Sequence, residues 1–246
     1  MKYNNKFFGF LRFILYPWGR LLFPCKVMNK HKYKKYDRGQ VLISNHLAWL
    51  DVCYVFFGLP GGEVRPLSKK ENSGGKLQRK FLESVGVIFI DRDKPELSTM
   101  RTCLNALKNG ETLYICPEGT RNKTGRELQP FHSGAAMFAL KGEARVVPYV
   151  VHHKGKMFRR NYLGVGDPVD LSDLFGKRVD ENLLNEATER FRAAVQKTLD
   201  ELDVWVAEKG YKKEKSKIKQ QKREARTLEK EYKAARKEYA KNLRSK

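Results

Sequence analysis

Apolar positions along the chain fall into short runs separated by longer amphipathic stretches. Gln40–Ser44 (QVLIS), Val64–Ser68, Gly86–Ile90 (GVIFI), Thr112–Cys116 (TLYIC) and Arg145–Val151 (RVVPYVV) read as strands. They are too short and too continuously apolar to be amphipathic helices, which marks strands buried on both faces. Between them, Leu47–Phe57, Gly75–Val85, a stretch from Asp93 to about Lys108, and Phe131–Leu140 have helical spacing. Asp93 is placed to cap the third of these, with Pro95 and Glu96 in its first turn, and Asn109-Gly110 to end it. A longer period runs from Asn182 to Ala207 through Leu183, Ala187, Phe191, Val195, Leu199 and Leu202. Strands alternating with helices predict an α/β fold with a largely parallel sheet flanked by helices. In such sheets functional groups collect just beyond the carboxyl ends of the strands. Those positions hold Asn45-His46, Asp91-Arg92 and Pro117-Glu118-Gly119-Thr120-Arg121.

The two ends of the chain follow different patterns. Phe7–Phe23 (FFGFLRFILYPWGRLLF) is strongly apolar but is broken by Arg12, Pro17 and Arg20. A spanning helix needs about 20 apolar residues, and an arginine at mid-bilayer costs roughly 2.5–3.5 kcal/mol on insertion scales. No small-residue cleavage site follows, so a removed signal is not expected. The segment reads as an interfacial helix with aromatic anchors, or as a helix packed on the protein's own core. Residues 211–246 have no Pro or Gly and a thin apolar stripe through Ile218, Ala225, Leu228, Tyr232 and Tyr239. They predict a long exposed basic helix, open to solvation, weak coiled-coil pairing or membrane-surface contact. The expected organisation is a membrane-associating N-terminal segment (1–39), a core domain (40–210) and a basic tail (211–246).

Charge sharpens that division. The 246 residues carry a net +22. Residues 1–40 hold +9 and residues 211–246 hold +10, leaving +3 for the whole centre. A nucleic-acid enzyme would spread basic residues around its groove; basic ends on a balanced centre point to an anionic membrane surface, with no nucleic-acid partner. The four cysteines form no CxxC and fit no zinc spacing with histidine. They read as reduced thiols in a cytosolic compartment, and no metal site is expected. Asn122-Lys123-Thr124 matches a glycosylation sequon, which such a compartment would leave unused.

Chemistry centres on His46 and Asp51 in ISNHLAWLD. On one continuous helix, residues five apart are separated by about 140° of rotation. With His46 in a loop and Asp51 in the following helix, the imidazole can fold back on the carboxylate. That contact would fix the tautomer and leave the other ring nitrogen basic. Alternatively, Asp51 only caps or solvates its helix. No GxSxG, phosphate-binding GxxxxGK[ST] or full GxGxxG occurs. A base without a protein nucleophile suggests direct activation of a substrate hydroxyl. His152 and His153 are neighbours on an expected strand and should face opposite ways. Arg92 and Arg121 each follow a strand and suit forked hydrogen bonds to a phosphate. Glu118 could order those arginines or bind a substrate hydroxyl.

Four pieces occur in order: Asn45-His46-x4-Asp51, Gly86-Val87-Ile88-Phe89-Ile90-Asp91-Arg92, Pro117-Glu118-Gly119-Thr120-Arg121 and Val146-Val147-Pro148-Tyr149. In this the chain resembles the glycerophospholipid acyltransferase family, in particular its bacterial 1-acylglycerol-3-phosphate acyltransferases of the PlsC type. The resemblance implies an α/β acyltransferase core behind an N-terminal membrane-embedding motif. It implies His46 as general base, Asp51 as its orienting partner, and Arg92, Glu118, Gly119, Thr120 and Arg121 as residues shaping the lysophospholipid phosphate site. The implied reaction moves a fatty acyl group from acyl-CoA or acyl-acyl carrier protein to lysophosphatidic acid. No cofactor is implied, and the expected location is the cytoplasmic face of the cell membrane, peripheral or monotopic. Another lysolipid acceptor is the alternative; a hydrolase and a basic nucleic-acid-binding protein are more distant ones. Two positions depart from the family pattern: Cys116 stands where an aromatic is frequent, and Phe131-His132-Ser133-Gly134 lacks a frequent lysine.

Overall fold

The computed structural model describes residues 5–34, 39–58, 64–91, 96–123, 127–209 and 227. Arg92 and Asp93 and nearly all of the 211–246 tail lie outside the described residues. The chain divides into two compact units, Met1–Leu202 and Asp203–Lys246. The second is described only for the helical residues 203–209 and for Thr227; the first carries the sheet.

Seven strands form that sheet: β1 (Cys25–Met28), β2 (Gln40–Ile43), β3 (Val64–Lys69), β4 (Ile88–Ile90), β5 (Thr112–Ile115), β6 (Arg145–Val151) and β7 (Asn161–Val165). Their order is β1-β7-β6-β2-β5-β3-β4. Every neighbouring pair is parallel except β6 with β7. The predicted parallel α/β sheet is thus the observed one. β2 sits at the centre, and all four of its residues are buried, as a continuous apolar run between helix layers requires.

On one face Leu42, Tyr114, Val147 and Tyr149 pack with Tyr54 and Val55 of α2 (Asp51–Gly58) and with Phe23. Phe23 meets the Tyr54 ring edge-on at 5.9 Å and stacks on Phe57 at 6.2 Å. The Tyr149 hydroxyl donates to the Tyr54 carbonyl at 3.0 Å, tying β6 to α2. Helix α1 (Asn5–Leu22) lies on α2, where a side chain at Gly19 would collide with Phe57. The opposite face is covered by α4 (Leu97–Lys108) and α5 (Gly134–Lys141). Helix α6 (181–209) contributes buried Ala187, Phe191, Val195, Leu199 and Leu202 from its 181–202 part. Helix α3 (Lys76–Ser84) leads into β4.

The structure departs from the sequence pattern at particular places. β1 comes from the segment expected to belong to the N-terminal membrane element, and β7 was not anticipated. α2 begins at Asp51 rather than Leu47, because the Asp51 carboxylate turns back onto the preceding loop. β4 begins at Ile88, since Gly86 takes a φ of 98° in the turn before it. α4 begins at Leu97, and α5 at Gly134.

Candidate active site

Because β2, β5 and β6 are mutually parallel, the segments following them emerge along one edge of the sheet. There Asn45 closes the end of β2 against β6. Its Nδ2 donates to the Val151 carbonyl and its Oδ1 accepts from the Val151 amide, each at 2.9 Å. Asn45 is 3% exposed, so this reciprocal pair is shielded from competing water. The amide of Ser44 donates to the Ile115 carbonyl at 3.0 Å, adding the third strand. His46 therefore leaves the sheet from an end fixed on both sides.

The His46 ring folds back on Asp51, with Nδ1 3.0 Å from Oδ2. The same oxygen accepts the amides of Leu47 at 2.7 Å and Ala48 at 2.8 Å. Asp51 does not bond amides of its own helix's first turn, as a capping side chain would; it serves the loop that carries His46. Its side chain is 1% exposed and that of His46 26%. The carboxylate is thus a buried support and the ring is its solvent-reaching end. The other carboxylate oxygen, Oδ1, is buried without a hydrogen-bond partner among the described residues. With Nδ1 held by Asp51, Nε2 is the nitrogen left to exchange a proton with a ligand.

Burial works against charge on His46, but hydrogen bonds with Asp51 and Cys116 and the nearby charges outweigh it. The pKa is raised from 6.5 to about 10. The shift favours the protonated ring, and the neutral, basic form grows as pH rises.

Glu118, in the turn after β5, is 2% exposed and points inward. Its Oε1 accepts the His46 amide at 2.9 Å. Its Oε2 accepts Asn122 Nδ2 at 2.9 Å and the Gln129 amide at 3.1 Å. Asn122 returns the connection, its amide donating to the His46 carbonyl at 2.6 Å. Both backbone polar groups of His46 are therefore held by the segment after β5. Gly119 makes the turn possible with φ 72°, a value side chains rarely adopt. Thr120 and Arg121 are exposed beyond it, Thr120 Oγ1 bonding Gln129 Oε1 at 3.0 Å.

The structure brings His46, Asp51, Glu118 and Gly119 together and leaves Thr120 and Arg121 on the adjoining surface; Arg92 lies outside the described residues. Asn122, noted in sequence only as a sequon, is 2% exposed and bonds Glu118 and the Glu127 carbonyl. Nothing in the sequence around it signalled that role. His152 and His153 follow β6 rather than belong to it. All four cysteines are free. Among the described residues no group of three metal-capable side chains assembles.

A family model described as Acyltransferase matches residues 25–152, from β1 to the residue after β6. The chain is 30% identical over 183 residues to the 1-acyl-sn-glycerol-3-phosphate acyltransferase of Bacillus subtilis (strain 168), covering 72% of this chain and 89% of that one. It is 31% identical over 139 residues to the enzyme of that name from Helicobacter pylori, covering 55% and 58%. The crystal structure of the 1-acyl-sn-glycerophosphate (LPA) acyltransferase PlsC from Thermotoga maritima shares the fold, with a TM-score of 0.59 at 21% identity over 82% of this chain and 84% of that one. With the family model covering the strands that build the site, and a 30% identical relative matched over most of its length, the chain belongs to the Acyltransferase family.

Proposed function

We propose that the protein is a 1-acyl-sn-glycerol-3-phosphate O-acyltransferase. It transfers a fatty acyl group from a thioester to the sn-2 hydroxyl of lysophosphatidic acid and releases phosphatidic acid. The observation that carries this reading is the His46–Asp51 contact at 3.0 Å in a chain of this family. Relatives bearing that activity in their names supply the acceptor.

His46 Nε2, in its neutral form, takes the proton of the acceptor hydroxyl as the oxygen attacks the thioester carbonyl. A C–O bond forms, the C–S bond breaks, and the departing thiolate takes up the proton. Asp51 holds the ring in one tautomer and stabilises the imidazolium formed in between. Glu118 and Asn122 act as positioning residues, holding the His46 backbone. Gly119 gives the turn its shape, and Thr120, Arg121 and Arg92 are assigned to the acceptor side, the arginines holding its phosphate by forked hydrogen bonds. This chemistry calls for no metal or organic cofactor; acyl-CoA or acyl-acyl carrier protein serves as co-substrate.

The acceptor is a membrane lipid, and the exposed apolar side chains of α1 fit a leaflet. Phe13 is 81% exposed, and Phe10, Trp18 and Leu21 are each 63% exposed. No helix among the described residues is long and apolar enough to cross a membrane. We therefore assign a peripheral or monotopic position on the cytoplasmic face, with an anionic surface attracting the basic ends. The test is acyl transfer by the purified chain in vesicles, with a panel of lysolipid acceptors. Phosphatidic acid should form at least tenfold faster than any other product; preference for another lysolipid would move the protein to a sister activity.

A further inference from the structure

A cavity of about 410 Å³ opens at the carboxyl ends of β2 and β6. That volume lies within the range of small-molecule sites, roughly 300–1,000 Å³. Asn45 and Leu47, the residues on either side of His46, both line it. Asn122, Lys123, His152, His153 and Lys154 supply the rest of its polar wall, and no carboxylate lines it among the described residues. Leu47, Leu128 and Leu199 give it an apolar side. The Asn45 carboxamide is committed to Val151 and Asn122 Nδ2 to Glu118 and the Glu127 carbonyl, so cationic and imidazole groups dominate what the cavity offers a ligand. Arg121, assigned above to the acceptor phosphate, does not line it.

We propose that this cavity receives the phosphate-bearing pantetheine arm of the acyl donor. The proposal rests on the acyltransferase reading above and adds where its second substrate is held. A pantetheine arm is a flexible, half-apolar chain with a thioester at one end and a phosphate at the other. It matches a cavity with a leucine side and a basic rim that abuts the residues flanking the catalytic histidine. Lysines hold phosphate as compact charges rather than as forks, and the imidazoles of His152 and His153 can donate further hydrogen bonds.

The test is a calorimetric titration of the full-length protein with coenzyme A, with 4′-phosphopantetheine and with a short-chain lysophosphatidic acid. No turnover is needed, so the result does not depend on whether acyl transfer to lysophosphatidic acid is the reaction. Lys123→Ala/Lys154→Ala should weaken coenzyme A binding about tenfold, equivalent to about 1.4 kcal/mol. Lys123→Arg/Lys154→Arg should retain it, which separates lost charge from a damaged fold. Parallel loss of 4′-phosphopantetheine binding is expected, assigning the site to the phosphate that both carriers share; loss for coenzyme A alone would overturn the proposal, because the lysines would then hold the nucleotide phosphates. Unchanged coenzyme A binding in the alanine variant, or weakened binding of the lysophosphatidic acid alone, would overturn the proposal.

Discussion

The edge of the sheet beyond β2 and the helix α1 are built on opposite terms. At the sheet edge, buried polar groups have specific partners: Asn45 with Val151, Asp51 with His46, Leu47 and Ala48, and Glu118 with His46, Asn122 and Gln129. On α1, large apolar groups such as Phe13 and Trp18 are left exposed. Buried hydrogen bonds are directional, and a buried group that loses its partner costs about 1–3 kcal/mol; such a network fixes positions. Apolar exposure is non-directional and fixes none, but it favours any apolar phase that comes near. On the proposed function, the difference separates a site that holds atoms in place from a surface that would only adhere.

If that division holds, the largest losses come from the sheet edge. His46→Ala should lower acyl transfer by about 10²–10⁴, the usual worth of a general base; it also takes one partner from the buried Asp51 carboxylate, which keeps the Leu47 and Ala48 amides, so a lower melting temperature should accompany the loss. Steady-state rates with purified, folded variant would check it.

The next effect is a matter of pH. Because Asp51 and Cys116 hold the His46 pKa up at about 10 and only the neutral ring accepts a proton, kcat/KM should climb as pH rises from 7 toward 10. Asp51→Asn removes the chief upward influence. It should lower the maximal rate and move the rising limb to lower pH, as should Cys116→Ala to a smaller extent. A profile flat from pH 6 to 9 would reject His46 as the titrating base.

Glu118→Gln sharpens the comparison from the positioning side. The replacement puts an amide donor where both carboxylate oxygens now accept N–H groups. A cost of about 1–3 kcal/mol is expected, with a melting temperature lower by roughly 2–4 °C per kcal/mol. The kcat should fall while KM for the acceptor changes little; a selective rise in acceptor KM would instead place Glu118 on the substrate.

The smallest effect on the fold should come from α1. Phe13→Asp with Trp18→Asp alters two exposed positions, so stability should stay within about 0.5 kcal/mol. Co-sedimentation with anionic vesicles should nevertheless fall, most clearly in high salt, where the basic ends are screened. Full sedimentation of that variant would mean that the lipid-facing surface lies elsewhere.

The same contrast explains what could be read in the sequence. β2, β5 and β6 were legible because a strand buried on both faces is a bare apolar run. α6 was legible because apolar positions from Leu183 to Leu202 repeat with helical spacing. β1 was not, since CKVM follows directly on the apolar N-terminal segment and merges with it. β7 was not, since NYLGV is short, holds Gly164 and follows a charged stretch. The fold-back of His46 on Asp51 was one of two readings of their spacing, since it needed His46 in a loop ahead of the helix that carries Asp51. The Glu118 clamp was not: His46 and Glu118 lie 72 positions apart, and only the adjacency of β2 and β5 brings them together. Asn122 carried no signal of its inward role for the same reason.

The central claim is that His46 and Asp51 work as one unit on the acceptor hydroxyl. The most direct measurement is a double-variant cycle on phosphatidic acid formation with His46→Ala, Asp51→Asn and the pair combined. Residues that act as a unit are strongly non-additive. The combined variant should therefore be no more than about threefold slower than His46→Ala alone. If the two losses multiply instead, the buried carboxylate serves the reaction by a route other than the histidine, and the account is wrong.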